Sequence, residues 1–207
     1  MEADKSEKDF TRLDKVVIGV CGGDGIGPLI CGAARDILEY LLEAEIRAGK
    51  VELRDIEGLT IENRIACGKA IPDDTLEALK ACDVILKGPT TTPNAGDGMP
   101  NIESANVAMR KALDLYANVR PVRVPEQGID WTFFRENTEG SYAVGSQGQH
   151  VTDDLAIDFC VTTTEGTRRI ARRAFEYARA NEKGRVSVVT KANVIKTTDG
   201  KFLNICR

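Results

Sequence analysis

Three arginines, Arg110, Arg120 and Arg135, are the residues of this sequence whose type and spacing most suggest chemistry. The pattern predicts Arg110 on a helix, Arg120 on a strand just after it, and Arg135 on a second strand. Arginine stays protonated, and its planar guanidinium matches a carboxylate in bidentate fashion. Brought together, the three would need about three carboxylate charges to neutralise them. The sequence therefore favours a small polyanionic ligand, although any one of these arginines taken singly is more simply explained as a surface charge.

Polar residues stand beside these arginines at spacings that suit a shared site. Ser104 is a good N-cap for the predicted helix. Asn106 and Arg110 are four residues apart, so they share one face of that helix. Pro121 holds Arg120 in an extended conformation, because proline disfavours the helical region for the residue before it. We therefore expect a helix start and a strand to present this set.

Four ordered motifs in the chain resemble those of one enzyme family. They are S-x-N-x-x-x-R from Ser104, R-P-V from Arg120, F-R-E-N-T-E-G-x-Y ending at Tyr142, and K-A-N-V-x-K from Lys191. Together they are similar to the decarboxylating isocitrate and isopropylmalate dehydrogenases, and the resemblance runs from about Val16 to Arg207. Ser104 and Asn106 indicate the isocitrate branch, since the isopropylmalate branch typically carries apolar residues there.

The resemblance implies an α/β fold with two lobes. Residues 1–15 are a charged N-terminal tail, and residues 16–100 form the first part of a large cofactor-side lobe, a parallel or mixed sheet with flanking helices. Residues 101–207 form a smaller α/β lobe for substrate binding and dimerisation, cut at its C-terminal end and carrying a strand clasp between two subunits. Independently of the resemblance, strands and helices alternate in the first part of the chain, which favours a parallel or mixed sheet with helices on both faces.

Apolar runs and periodicity predict the individual elements. A strand at Val16–Val20 leads through a glycine turn into a helix from Leu29 to about Ala48, and Asp73 or Asp74 is expected to cap a later helix. The other expected elements are strands at 51–56 and 84–87, a helix at 164–180, a strand at 186–190 that delivers Lys191, and the opening of a helix in the last seven residues.

The resemblance also assigns roles in a metal-dependent oxidative decarboxylation of isocitrate to 2-oxoglutarate. The carboxylates would bind Arg110, Arg120 and Arg135, and Ser104 and Asn106 would read the carboxylate that distinguishes isocitrate from shorter acids. Lys191, which in the family reaches into the partner subunit's site, would assist removal of the hydroxyl proton, and Tyr142 would reprotonate the enolate carbon. Asn193 would lie nearby as a substrate-binding residue.

The glycine turn after the first strand bears on cofactor binding. Gly23, Gly25 and Gly27 follow a strand, but they fall two residues apart and do not give G-x-G-x-x-G, so a tight strand-to-helix turn explains them equally well. The resemblance places this turn near an NAD or NADP site and sets Thr91 and Thr92 against the nicotinamide. It implies Mg²⁺ or Mn²⁺ as well, with ligands expected beyond Arg207.

Composition limits the other function classes. Hydrophobic residues make up 42% and charged residues 29%, which is ordinary for a soluble globular protein, and no apolar run is long enough to span a membrane. The net charge of -4 argues against a nucleic-acid partner. The N-terminal fifteen residues are charged and lack an apolar core, so they resemble neither a signal nor a transit peptide, and we expect a cytoplasmic location.

Six cysteines show no C-x-x-C pair, and His150 is the one histidine. We expect reduced, mostly buried thiols, and the pattern disfavours cysteine–histidine catalysis and a zinc site.

Family members are distinctly longer than this chain, so we expect it to be a fragment that is inactive alone and a homodimer with shared active sites when complete. Three alternatives stay open: a related dehydrogenase acting on homoisocitrate, tartrate or 3-isopropylmalate, a non-catalytic regulatory subunit, and an α/β module that binds another polyanion such as a phosphorylated sugar.

Overall fold

Two units make up the chain, the first ending at Ala108 and the second beginning at Met109. The structure, a computed structural model, describes residues 9–94, 96–145 and 147–207. Much of the predicted N-terminal tail thus lies outside the described residues. Its remainder includes a single 3₁₀ turn at Phe10–Arg12, capped by the carboxylate of Asp9.

A parallel sheet organises the first unit and confirms that prediction. Strand β1 (Val16–Cys21) lies between β2 (Val51–Asp55) and β3 (Val84–Lys87), and both neighbours run parallel to it. The apolar run of β1 explains its central position, since its last residues, Val20 and Cys21, are buried. The order β2-β1-β3 reverses direction at β1, which with right-handed crossovers puts the connecting helices on opposite faces.

The helices of the first unit correct two predictions. Helix α1 (Gly27–Leu41) ends one residue before α2 (Glu43–Arg47), so the single helix expected to reach Ala48 is wrong. The break is at Leu42, whose φ of -110° and ψ of 19° leave the helical region.

Helices α3 (Ile61–Cys67) and α4 (Asp73–Lys80) connect β2 to β3. Pro72, not an aspartate, occupies the N-cap position of α4, and no side chain caps the helix there. Asp73 and Asp74 lie inside the first turn instead, where their negative charge suits the helix dipole.

The second unit is built on an antiparallel hairpin and a long helix. Helix α5 (Ala105–Ala112) crosses the boundary between the units and is followed by β4 (Ala117–Val124) and β5 (Ile129–Glu136), which pair with each other. A second hairpin joins β6 (Gln149–Thr152) to β7 (Leu155–Ile157), and all of its residues are exposed.

Helix α6 (Thr164–Ala180) has the predicted bounds, and α7 (Thr198–Cys206) forms at the predicted place. Tyr177 of α6 packs on β5, because its ring centroid lies 5.1 Å from that of Phe134 and its hydroxyl lies 3.2 Å from the hydroxyl of Thr132. Among the described residues, no helix combines the length and the apolar character needed to cross a bilayer.

The strand predicted at 186–190 is wrong. A strand is defined by ladder hydrogen bonds, and no strand of the described residues pairs with this segment, so it stays irregular and Val189 is 87% exposed. Lys191 instead begins a turn that Asp199 holds in place. The Asp199 carboxylate accepts hydrogen bonds from the Lys191 backbone N–H (2.8 Å) and the Thr190 hydroxyl (3.1 Å).

The cysteines are free, as expected, but the prediction that most are buried is wrong. Only Cys21 and Cys31 are buried, while Cys67 and Cys160 are exposed. The exposed pair lies where the chain leaves regular structure: Cys67 is the last residue of α3, and Cys160 follows the β6–β7 hairpin.

Candidate functional site

A cluster of arginines, named the anion-binding cluster after the ligand that it would suit, forms in the second unit from its helix end and its hairpin. Asn118 of β4 stands opposite Arg135 of β5, and Arg120 lies two residues after Asn118, so Arg120 and Arg135 share one face of the hairpin. Arg110 lies in the last turn of α5, shortly before β4 begins. The structure thus brings the three predicted arginines to neighbouring elements.

Tyr142 lies among these arginines. It belongs to a short 3₁₀ turn, Ser141–Ala143, and the guanidinium carbon of Arg135 lies 5.2 Å from its ring centroid. A hydrogen bond with Arg135 lowers the pKa of the Tyr142 phenol, and the positive charges of Arg135, Arg110 and Arg120 lower it further. Three arginines singled out from the sequence therefore act on one phenol. A phenol with a lowered pKa is a better proton donor near neutral pH.

Asn118 is a site residue that the sequence analysis missed. Its side-chain oxygen accepts a 2.9 Å hydrogen bond from Nε of Arg120. Because this bond uses Nε, the two terminal nitrogens of the guanidinium can face a carboxylate. The only sequence signal was the spacing N-x-R on a predicted strand, which places both side chains on one face.

A cavity of about 350 Å³ opens beside Arg135 and Tyr142. Ser141, Cys160 and Phe202 also line it. Its size suits a small organic acid.

In the first unit, two loops meet at the edge of the sheet where the strand order reverses. The turn after β1 and the loop after β3 leave the carboxyl ends of adjacent parallel strands, which is where open α/β sheets bind ligands. Gly23 has a φ of +70°, and a Cβ there would lie 2.1 Å from the carbonyl oxygen of Pro89. The glycine turn therefore lets the two backbones approach closely, which a side chain at Gly23 would prevent.

Asp24 and Arg64 fix the threonine-rich loop, and the sequence analysis missed both. The Asp24 carboxylate accepts hydrogen bonds from the backbone N–H of Thr91 (2.6 Å) and of Ile61 (2.8 Å). Arg64 is fully buried and donates to the carbonyl oxygens of Thr91 (2.7 Å), Ala70 (3.0 Å) and Glu103 (3.3 Å). Thr91 is held at both backbone groups, while Thr91 and Thr92 themselves are exposed.

Burial lowers the pKa of Arg64, and the charge of Asp24 acts in the opposite direction. Asp24 could have been found from its place between two glycines. No local pattern marks Arg64.

Lys87 ends β3 beside the same loop and was also missed. Its ammonium group donates to the carbonyl of Gly88 (2.6 Å) and the hydroxyl of Thr90 (3.3 Å). Burial lowers the pKa of Lys87. A partly buried cation thus stands at the start of the loop.

The remaining predicted residues are more scattered. Ser104 immediately precedes α5 and its carbonyl accepts the N–H of Ala108 (3.0 Å), while Asn106 lies in the first turn. Lys191 and Asn193 are exposed, and neither is among the residues that act on Tyr142 in the described structure. Within residues 9–94, 96–145 and 147–207, no group of three or more His, Cys, Asp or Glu side chains could hold a metal ion.

Comparison with known proteins gives consistent matches along the chain. The isocitrate/isopropylmalate dehydrogenase family model matches residues 17–207. The homoisocitrate dehydrogenase of Methanocaldococcus jannaschii is 38% identical over 202 residues, covering 90% of this chain and 55% of that protein. A regulatory subunit of the mitochondrial NAD isocitrate dehydrogenase of Arabidopsis thaliana is 34% identical over 191 residues, covering 89% and 47%.

Among solved structures, the isocitrate dehydrogenase of Methylococcus capsulatus superimposes with a TM-score of 0.75 at 35% identity, covering 93% of this chain and 56% of that one. The chain spans about half the length of the curated relatives it matches. Since the family model and the folds agree over nearly all of the chain, this chain belongs to the isocitrate/isopropylmalate dehydrogenase family.

Proposed function

We propose that this chain is part of a dehydrogenase that oxidises and decarboxylates isocitrate to 2-oxoglutarate with NAD or NADP. The observation that carries this proposal is the cluster of Arg110, Arg120 and Arg135 around the phenol of Tyr142. Three guanidinium groups suit a substrate with three carboxylates. Ser104 and Asn106 are proposed to read the carboxylate that distinguishes isocitrate from shorter hydroxy acids.

Tyr142 is proposed as the acid that reprotonates the enolate carbon after carbon dioxide leaves. Its lowered pKa supports this role, because the arginines that would bind the carboxylates also stabilise the phenolate left behind. Binding of the carboxylates would hold the reacting carbon in a fixed orientation beside the phenol.

NAD or NADP would accept the hydride in this reaction. The edge of the sheet where the strand order reverses would hold this group, because Thr91 and Thr92 are exposed there on a loop that Asp24 and Arg64 fix. We also propose the two lobes predicted from the sequence, a cofactor-side lobe over residues 16–100 and a substrate and dimerisation lobe over residues 101–207.

A divalent metal, Mg²⁺ or Mn²⁺, fits the described residues poorly, because they contain no cluster of three possible ligands. The steps assigned to the chain's own residues involve no metal.

Lys191 is proposed to remove the hydroxyl proton in the active site of a partner subunit, with Asn193 beside the substrate. Its exposed position is compatible with such a role. The β6–β7 hairpin supports a homodimer, since Val151, Leu155 and Ile157 are all exposed there and would be covered by a clasp between subunits. No nucleic-acid or membrane partner is proposed, and the cytoplasmic location stays a prediction.

Two other functions have specific support. Similarity to a homoisocitrate dehydrogenase favours a related acid as substrate. Similarity to a regulatory subunit favours a chain that binds isocitrate without turnover. The presence of both Tyr142 and Lys191 favours catalysis, because a regulatory chain has no need of either.

Calorimetric titration of the chain with isocitrate, homoisocitrate, 3-isopropylmalate, tartrate and a sugar phosphate tests the proposal. Isocitrate should bind most tightly. Arg135→Gln should weaken its binding by roughly ten- to a hundredfold, which corresponds to the loss of one charge-assisted contact. Arg123→Gln is the matched control. Arg123 lies on β4 of the same hairpin, but on the face opposite to the one that carries Arg120 and Arg135.

Equal binding of all five ligands, preference for the sugar phosphate, or an equal loss in both variants would contradict the proposal. Reduction of NAD or NADP on adding isocitrate, measured on the longer protein of which this chain would be a part and abolished by Tyr142→Phe, would separate a catalytic chain from a regulatory one.

A further inference from the structure

We infer that Arg169 is a positioning residue that holds the three substrate-binding arginines in their mutual arrangement. The inference rests on the proposed function, since it concerns the same anion-binding cluster. Arg169 lies on α6, and the described hydrogen bonds of its side chain go to Asp114, Glu136 and Thr138, none of which belongs to the cluster. It acts through the segments next to the arginines.

The guanidinium of Arg169 joins three parts of the second unit. Nη1 donates to Asp114 (2.7 Å), and Nη2 donates to the hydroxyl of Thr138 (2.8 Å) and, at 3.4 Å, to the carboxylate of Glu136. Its planar group also lies over the ring of Tyr116, 4.5 Å from the centroid. One side chain therefore contacts four residues from two separate stretches of chain.

Each contacted residue lies next to an element of the cluster. Asp114 follows the helix that carries Arg110, and Tyr116 immediately precedes the strand that carries Arg120. Glu136 is the neighbour of Arg135 in β5. A shift of Arg169 would thus move the supports of all three arginines together.

The link between α5 and β4 contains an unfavourable backbone conformation. Asp114 has a φ of +51°, a conformation that is uncommon for a residue other than glycine. The backbone N–H of Leu115 donates to the carbonyl of Arg110 (2.8 Å), so the chain turns out of α5 immediately before β4 begins. The ion pair with Arg169 offsets the cost of that backbone conformation.

Helix α6 also holds the turn between Arg135 and Tyr142 at a second point. The carboxylate of Glu139 accepts hydrogen bonds from the backbone N–H (2.9 Å) and the hydroxyl of Thr163, the N-cap of α6. A Cβ at Gly166 would lie 2.2 Å from a Glu139 carboxylate oxygen, so a side chain there would displace this carboxylate from its present position. The helix terminus favours this negative charge.

Partial burial strengthens the Arg169 contacts. The Arg169 side chain is 26% exposed and that of Glu136 is 11% exposed, so solvent screens their interaction only in part. Burial lowers the pKa of Arg169, but the hydrogen bonds and charges of Asp114 and Glu136 outweigh it and raise the pKa overall. Nε of Arg169 is buried without a partner among the described atoms, so the hydrogen bonds of this group are made by its terminal nitrogens.

Arg169→Gln tests the inference, with Arg168→Gln as the matched control on the neighbouring, exposed position. Isocitrate affinity is measured by calorimetry at a temperature at which circular dichroism shows both variants folded. We expect Arg169→Gln to weaken binding by about tenfold or more and Arg168→Gln to stay within about twofold.

A second measurement does not depend on any ligand. The ionisation of Tyr142 is followed by ¹³C-tyrosine NMR, with Tyr142→Phe to assign the signal. If Arg169 holds the arginines in place, its replacement moves the Tyr142 pKa up towards its ordinary value, and replacement of Arg168 leaves that pKa unchanged. A wild-type chain that binds no tricarboxylate would refute the proposed function, yet this titration would still decide the positioning role.

Asp114→Asn covers the case in which Arg169→Gln does not fold. Asparagine tolerates a positive φ, so this change removes the ion pair and keeps the backbone conformation. We expect a smaller loss of affinity in the same direction, about threefold. Unchanged affinity and unchanged Tyr142 titration in folded Asp114→Asn and Arg169→Gln variants would overturn the inference.

Discussion

Replacing Arg64 by methionine would test how the threonine-rich loop is held. Arg64 is fully buried, and its guanidinium is the donor to three backbone carbonyls, those of Ala70, Thr91 and Glu103. Methionine keeps much of the length and the helix propensity but none of the donors. The change would therefore leave carbonyl groups of separate segments without these partners.

The loss of folding stability expected for Arg64→Met follows from the burial of the side chain and the number of hydrogen bonds that it makes. Each carbonyl left unpaired costs about 1–3 kcal/mol, while removal of the guanidinium also removes the cost of burying its charge. We expect a net loss of about 3–5 kcal/mol, a large part of the stability of an ordinary domain. In urea this corresponds to a fall of the unfolding midpoint by roughly 2 M.

Two probes locate the effect. Trp131 is the only tryptophan and belongs to the second unit, so its fluorescence reports that unit, while circular dichroism reports both. Hydrogen exchange at the Thr91 amide, which bonds to Asp24, reports the loop itself. We expect the circular dichroism midpoint to fall and the Thr91 amide to exchange faster.

Arg54→Met is the control, because Arg54 pairs with Glu52 at a partly exposed position and its loss should cost at most about 1 kcal/mol. A cost for Arg64→Met as small as that of Arg54→Met, or unchanged exchange at Thr91, would refute the reasoning.

Two further predictions concern the first unit. Gly23→Ala should destabilise it by clearly more than Gly25→Ala, because both residues have a positive φ but only the Cβ at Gly23 would meet a backbone oxygen; equal midpoints in urea would contradict this. Burial raises the pKa of Cys21 from 9.0 to about 11. The neutral thiol therefore stabilises the folded chain below pH 9.0, and this contribution is lost as the pH rises through about 11. Cys21→Ala should flatten the decline in thermal stability over this range, and a decline of unchanged steepness would contradict the assignment. In the folded chain, iodoacetamide should modify the exposed Cys67 well before Cys21, as peptide mass spectrometry would show.

Several parts of the fold follow from local sequence. The apolar runs of β1 and β3 predict both strands at the places where they form, and β1 is buried at its end, whereas β3 is only half-buried and Val84 is exposed. Helix α6 was predicted over its full length because its apolar residues recur at helical spacing, and the structure adds Thr163 as its N-cap. Such features depend on neighbours a few residues away, which the sequence displays directly.

The site was predicted in its composition but not in its supports. The motifs name Arg135 and Tyr142. Asn118, which orients Arg120, is marked only by the spacing N-x-R, and Arg169, which joins the supporting segments, carries no local signal of that role. The partners of Arg169 are distant in sequence, and the position of Asn118 opposite Arg135 depends on strand register, which is fixed only when the hairpin forms.

What the sequence by itself determined was the family motifs, the elements with strong periodicity and the set of arginines that a polyanion would require. Only the tertiary structure decided that Val186–Thr190 stays irregular, that Arg64 is fully buried, and that Arg135 lies against Tyr142. Ladder pairing and burial are made by segments far apart along the chain, so no single stretch of residues contains them. The approach of Arg135 to Tyr142 joins residues of one motif, but it depends on the path that the backbone takes between β5 and the turn at Ser141–Ala143.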